Sequence, residues 1–176
     1  MKNVSRTIAM AFEVKLFEPW VSRVRPEGGS DELPLSSLRP SNAHIHGELL
    51  IIVDGEALPH LGFFGPRDVC VNTWLGELSV VRRVLSESTT ACHVFDEGEQ
   101  GQPAFKFQRS GDLVEVSVVD SQLSDGIGDP EWGTRTCTIG EFQDGVSAFF
   151  AELTSALEAA APGVGRLWVQ GFVGAG

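Results

Sequence analysis

The 176-residue chain carries 24 Asp and Glu against 13 Lys and Arg, a formal net charge of −11 at neutral pH, and 42% of its residues are hydrophobic. This length and apolar content predict one globular domain over 1–176 with a buried core. The acidic balance argues against nucleic acid and anionic membranes as partners, because both are bound through clustered basic side chains. The longest apolar run, Leu49–Val53, is far shorter than a membrane span.

The first third of the chain predicts two strands separated by a long connection. Apolar and polar residues alternate from Thr7 to Phe17, and Pro19 is expected to end this strand. Pro, Gly and Ser are frequent in the segment that follows, so 25–43 is interpreted as a long loop or a partly ordered segment. His46–Val53 is apolar on both faces, which is typical of a strand in the middle of a sheet.

The middle of the chain predicts a helix followed by short strands. Asn72–Ser86 has one apolar stripe at helical spacing. Arg109–Asp112 has the composition of a tight turn and is expected to close a hairpin. The strands after the helix are predicted at Thr89–Phe95, Ala104–Gln108, Asp112–Val119 and Arg135–Thr138.

The C-terminal part predicts a second long helix. Thr138 and Glu141 have the spacing of a capping box, and the helix should run to Ala160, before a Pro-Gly pair. Leu167–Val169 is a short apolar segment interpreted as a last strand. The apolar stripe of this helix comprises Phe142, Val146, Phe149, Phe150, Leu153 and Leu157. Hairpins without regular strand–helix alternation predict an α+β fold, with an antiparallel sheet of about five to seven strands and two main helices packed on it.

The cysteines and the N-terminal residues indicate a cytoplasmic protein. The three cysteines, Cys70, Cys92 and Cys137, are an odd number and lie far apart in the sequence. This pattern argues against a disulfide framework and suits a reducing compartment. The first residues do not lead into the apolar core of a signal peptide.

No segment completes a catalytic or metal-binding motif. His44 and His46 are expected on one face of a strand, and His60 and His93 are the other histidines that could join them. No thiol or carboxylate stands at ligand spacing beside them, so no metal and no cofactor are predicted. The loop 120–131 begins and ends like a calcium-binding loop. Its third position, however, is Gln122, which does not match the template. Its sixth position is Asp125, where the sharp turn of a calcium-binding loop requires Gly. The sequence therefore predicts a protein that is not an enzyme.

From residue 44 to the end, the chain has nineteen Asp and Glu against seven Lys and Arg. Much of this negative charge lies in two loops, 96–101 and 120–131. Such loops would steer a basic partner toward the protein. Trp132, which ends the second loop, is interpreted either as a lid over the sheet edge or as an exposed aromatic anchor inside an acidic rim. The predicted partner-binding residues are Asp96, Glu97, Glu99, Asp120, Asp125, Asp129, Glu131 and Trp132.

About residues 49–168 resemble small bacterial immunity-type proteins of contact-dependent and polymorphic toxin systems. The features that carry the resemblance are a strand ending in Asp-Gly, a Trp-Leu helix, an acidic loop, a Phe-x-Phe hairpin, a Glu-Trp loop and a helix entered through Glu-Phe. In this chain they are Val53-Asp54-Gly55, Trp74-Leu75, Asp96 to Glu99, Phe105-Lys106-Phe107 through Asp120, Glu131-Trp132 and Glu141-Phe142.

The resemblance implies a cytoplasmic protein that binds and occludes a cognate toxin without chemistry of its own. The acidic balance favours a basic toxin. Two alternatives stay open at this point. One is a small-ligand or regulatory domain, and the other is a metal-assisted hydrolase built around His44, His46 and His93.

Overall fold

The computed structural model describes residues 11–40, 44–62 and 65–173, and it confirms an α+β fold. In those ranges it has nine strands, three helices and one turn of 3₁₀ helix, Leu35–Ser37. The strands are β1 (Phe12–Val24), β2 (Ser30–Leu33), β3 (His44–Val53), β4 (Glu56–Ala57), β5 (Val69–Cys70), β6 (Thr90–Phe95), β7 (Ala104–Ser110), β8 (Leu113–Val119) and β9 (Thr134–Thr138). The helices are α1 (Val71–Glu87), α2 (Ile139–Ala160) and α3 (Gly165–Val173).

The strands divide between two antiparallel sheets, where the sequence analysis expected one. The first sheet has the order β2-β1-β3, and two short strands complete it on the far side of β3. Of these, β4 pairs with the end of β3 at Ile52 and Val53, and β5 pairs near its start at His46 and Gly47. The second sheet is a simple meander in the order β6-β7-β8-β9.

The N-terminal strand is longer than predicted, because Pro19 does not end it. β1 continues to Val24, and the register of its pairing with β3 shifts between Phe17 and Trp20. A bulge of this kind is one of the few places in a sheet where proline is tolerated. The predicted residues 7–10 lie outside the described residues.

The predicted loop 25–43 contains regular structure. β2 folds back onto β1, with Val21 opposite Leu33, and the 3₁₀ turn follows it. Leu38, just after this turn, is completely buried. Residues 41–43 of the predicted loop lie outside the described residues.

The last predicted strand is wrong, because Leu167–Val169 lies in α3. Trp168 and Val169 are buried, and the Trp168 ring packs against Phe172 with 4.8 Å between the ring centroids. The spacing from Trp168 to Phe172 is one helical turn, which a three-residue window does not reveal.

Helices α1 and α2 each connect the two sheets. Helix α2 contacts β1 in the first sheet and β8 and β9 in the second, while α1 contacts β3 and β6. The Phe142 ring lies 4.7 Å from the Phe12 ring of the first sheet and 6.1 Å from the Phe107 ring of the second. The buried residues of both sheets therefore form one hydrophobic cluster.

The predicted capping box of α2 is confirmed. The Glu141 N–H donates to Thr138 Oγ1 at 3.2 Å, and the Thr138 N–H donates to Glu141 Oε2 at 2.8 Å. Hydrogen bonds from the backbone and the side chain of Thr138 lower the pKa of Glu141. Among the helices of the described ranges, none has the length and apolar content that crossing a membrane requires.

Candidate functional site

The structure brings the two acidic loops, 96–101 and 120–131, into direct contact. The Asp96 carboxylate accepts hydrogen bonds from the Ser121 hydroxyl at 2.8 Å and from the Gln122 N–H at 2.7 Å. Asp125 of the second loop accepts a hydrogen bond from the Gly101 N–H of the first at 2.8 Å. We call the surface formed by residues 96–101 and 120–131 the acidic face.

Besides Asp96, three further aspartates of the acidic face hold its backbone in place. Asp120 accepts a hydrogen bond from the Gly128 N–H at 2.8 Å. Asp129 accepts from the N–H groups of Glu131 and Trp132, and its other oxygen lies 2.9 Å from His60 Nε2. Asp125 has the same kind of role through Gly101. Reversing these aspartates would therefore disturb the loops as well as the charge.

The exposure of the acidic side chains separates them into two groups. Asp96, Glu97 and Asp129 are partly buried, whereas Glu99, Asp120, Asp125 and Glu131 are exposed. Within the described part of the chain, none of the seven forms an ion pair with Lys or Arg. Among the described residues, the basic side chain paired with these seven is therefore His60, which contacts Asp129.

Asp96 is the residue that joins the two loops. Burial raises the pKa of its carboxyl, but hydrogen bonds from Gln122, Ser121, Gly98 and Leu123 outweigh burial and lower that pKa below its ordinary value. A depressed pKa in the folded state means that the ionised carboxylate stabilises the fold above its ordinary pKa. This contribution disappears as the pH falls through the folded-state pKa.

Replacing Asp96 with Ala should lower the free energy of unfolding by about 2 kcal/mol at pH 7, because hydrogen bonds to a charged acceptor are lost and their donors are left in a partly buried site. The difference between the two proteins should shrink as the pH falls from about 5 toward 3, below the ordinary pKa of Asp. Urea unfolding at each pH measures both effects. Asp112→Ala is the control, since Asp112 is exposed in the hairpin turn. An equal loss in both variants would contradict the role of Asp96.

Trp132 is not the exposed anchor that the sequence suggested. Only 9% of the residue is exposed, and it belongs to the hydrophobic cluster, with the Arg135 guanidinium 5.8 Å from its ring centroid. The apolar groups that the acidic face does expose are Leu123, at 71%, and Ile127, at 77%. In the sequence, each of these two residues is a single apolar residue between polar residues or glycines of the loop, and this is the feature that could have indicated an exposed apolar contact.

A second cluster of reactive side chains lies where β3 meets β5. It comprises His44, His46 and Cys70, and we call it the His–Cys cluster. Cys70 is directly opposite His46 in the register of these strands, and Cys70 Sγ lies 3.8 Å from His44 Nδ1. Asp68 Oδ1 lies 2.9 Å from His46 Nδ1. In the sequence, no thiol or carboxylate stands at ligand spacing beside these two histidines, and no metal is predicted there for that reason. Strand pairing supplies both from more than twenty residues away, so this reason no longer holds.

The other two histidines lie elsewhere with carboxylate partners of their own. His93, on β6, has its Nε2 atom 2.8 Å from Glu77 Oε2. His60 contacts Asp129 of the acidic face. The hydrolase alternative, which grouped His93 with His44 and His46, therefore has no support from this geometry.

A cleft of about 290 Å³ separates the His–Cys cluster from the acidic face. Burial raises the pKa of Glu97 in its wall, and the nearby charges of Glu99 and Glu77 raise it further, against a hydrogen bond from Gln102. The residues that line the cleft are His46, Leu61, Asp68, Val69, Cys70, Thr73, Glu97, Glu99 and Gln102.

The chain was compared with family models, curated proteins and solved structures. No family model, no curated protein and no solved structure matches the chain. The acidic face and the His–Cys cluster are therefore the features from which a function can be inferred.

Proposed function

We propose that the protein is a cytoplasmic binding protein that captures a basic protein on its acidic face and occludes it, as an immunity protein neutralises a cognate toxin. The observation that supports this most is the union of two acidic loops into one surface without Lys or Arg partners among the described residues. No bound metal or cofactor is needed for this function.

The acidic face combines charge, apolar contact and a fixed shape. Uncompensated negative charge raises the rate at which a basic protein is captured. Leu123 and Ile127 supply apolar area that is exposed before binding and would be buried after it. The hydrogen bonds of Asp96 and Asp125 fix the loops in advance, which reduces the entropy lost when a partner binds.

Glu99 and Glu131 are the charges best suited to a test, because both are exposed and neither side chain holds the loop backbone in the described structure. The double variant Glu99→Lys/Glu131→Lys should slow association with a basic partner about tenfold at low salt and flatten the salt dependence of that rate. The variant should unfold at the same urea concentration as the wild type, since exposed charges contribute little to stability.

The partner to test is the product of the reading frame next to the gene for this chain, which the proposal expects to contain a basic toxin domain. Stopped-flow mixing measures association, and survival of cells that co-express the two proteins measures protection. Asp144→Lys/Glu152→Lys is the matched control, because it makes the same change in net charge at exposed positions of α2. Equal slowing in both double variants would indicate only long-range attraction and would contradict a defined acidic face. Absence of a complex with the neighbouring toxin domain would contradict the immunity function.

The apolar side chains should act at a different step. Leu123→Ala/Ile127→Ala leaves the charge unchanged, so association should stay near the wild-type rate while dissociation becomes faster. Unchanged dissociation would show that the partner does not cover the second loop.

A further inference from the structure

We propose that His44, His46 and Cys70 form a binding site for a zinc ion, with Asp68 orienting His46. Among the His, Cys, Asp and Glu residues that the structure describes, these three form a group that could hold a metal ion. One possible ligand atom from each lies within 4.8 Å of the other two. This inference is independent of the proposed partner.

The backbone places the three side chains on one side of the first sheet. His44 and His46 are two residues apart on β3, so they point to the same face, and the buried Ile45 between them points to the other. Cys70 is the antiparallel partner of His46 on β5, and directly opposite residues in a sheet share a face. The three ligands are thus held by paired backbone.

The separations suit a zinc ion after small side-chain rotations. Bond lengths to nitrogen and sulfur in tetrahedral zinc sites imply ligand atoms about 3.3–3.6 Å apart. The distance from Cys70 Sγ to His44 Nδ1 is 3.8 Å, already close to this value. All three ligand atoms lie within 4.8 Å of one another, so the wider separations need to close by up to about 1.2–1.5 Å. Because His44 is exposed, its ring can turn to do so without disturbing the core.

The surroundings of His46 fix which of its nitrogens is available. Asp68 lies 2.9 Å from Nδ1 and accepts a hydrogen bond when that nitrogen is protonated, which leaves Nε2 for the metal. Carboxylates that bind the second nitrogen of a ligating histidine are a common feature of zinc sites. The Trp20 ring also stacks on the His46 ring, with 4.8 Å between centroids and 26° between planes. His46 is therefore held in one orientation.

The chemistry of the three ligands favours zinc over calcium or magnesium. Two imidazoles and a thiolate are borderline and soft ligands, whereas calcium and magnesium take oxygen. Cys70 is also the N-cap residue of α1, although its side chain makes no capping hydrogen bond, and the partial positive charge at a helix N-terminus favours a negatively charged ligand. Three protein ligands leave the fourth tetrahedral position to water. His46 and Cys70 also line the cleft that Glu97 and Glu99 line.

The test is zinc binding by untagged, fully reduced protein, measured by competition with a chromophoric chelator and by absorption of the Co²⁺-substituted protein. We expect one zinc per chain and a thiolate-to-cobalt charge-transfer band. His46→Ala and Cys70→Ser should each abolish stoichiometric binding. Asp68→Asn should keep the stoichiometry and weaken affinity about 10- to 100-fold, as loss of an orienting partner does.

Two variants control for unspecific binding by the other thiols and imidazoles. Cys92→Ser removes an exposed free cysteine, and His93→Gln removes a histidine that pairs with Glu77. Both should bind zinc like the wild type. His44→Ala, at an exposed position, provides a ligand-deletion variant whose circular dichroism without metal should equal that of the wild type. Zinc below one tenth of an equivalent, or binding that survives both His46→Ala and Cys70→Ser, would overturn the proposal.

Discussion

Truncation of Phe142 to Ala should lower the free energy of unfolding by about 3–5 kcal/mol, the range for deletion of a buried phenyl ring. Phe142 is completely buried, and its ring contacts Phe12 of the first sheet and Phe107 of the second. The cavity would therefore open where both sheets meet α2, and neither sheet can collapse into it alone. Urea unfolding followed by circular dichroism measures the loss.

Phe17→Ala is the matched control for this experiment. It deletes the same group from β1, but 46% of Phe17 is exposed. The expected loss is below about 1 kcal/mol, as for most surface substitutions. Similar losses in the two variants would show that Phe142 does not connect the sheets in the way described.

Replacing Gly145 with Ala should destabilise the protein although alanine favours helices. A Cβ atom at this position of α2 would lie 2.4 Å from the carbonyl oxygen of Phe12 and 2.8 Å from its Cδ1 atom. Because the obstacle is the backbone of β1, the helix and the strand have to separate. Overpacking costs about 1–3 kcal/mol and occasionally more, and we expect a net loss of about 2 kcal/mol after the gain in helix propensity.

Gly76→Ala in α1 should have the opposite sign. Apart from the chain neighbours and the backbone of α1 itself, no atom of the described residues lies within 4 Å of the Cβ position there, so only the helix propensity changes. The expected gain is about 0.5–1 kcal/mol. Melting temperatures of the two alanine variants, measured side by side, distinguish the explanations. A gain at both positions would mean that α2 and β1 are not packed as closely as described.

The helices could be predicted from the sequence because their pattern is local. The apolar stripe of α1 and the capping box of α2 gave bounds within one residue of those observed. The end of β1 could not be predicted, since the bulge that accommodates Pro19 depends on pairing with β3, about thirty residues away. The division into two sheets likewise depends on which strands α1 and α2 cover.

The candidate sites show the same limit. The sequence identified the acidic loops, but Asp96 and Glu99 look alike in it, although one holds backbone N–H groups and the other is exposed. The burial of Trp132 depends on packing that loop composition does not reveal. The His–Cys cluster exists because the pairing register sets Cys70 opposite His46, and neither residue signals this in the sequence.

The contact between α2 and β1 also determines how long β1 must wait for its packing partner during synthesis. Phe12 is synthesised about 130 residues before Gly145, which packs directly on it. At the usual elongation rates of about 5–20 residues per second, the ribosome needs roughly 7–25 seconds to reach it. Until then the apolar surface around Phe12 and Val14 lacks the helix that covers it in the finished fold. During that interval the exposed apolar surface favours aggregation, which chaperones counteract.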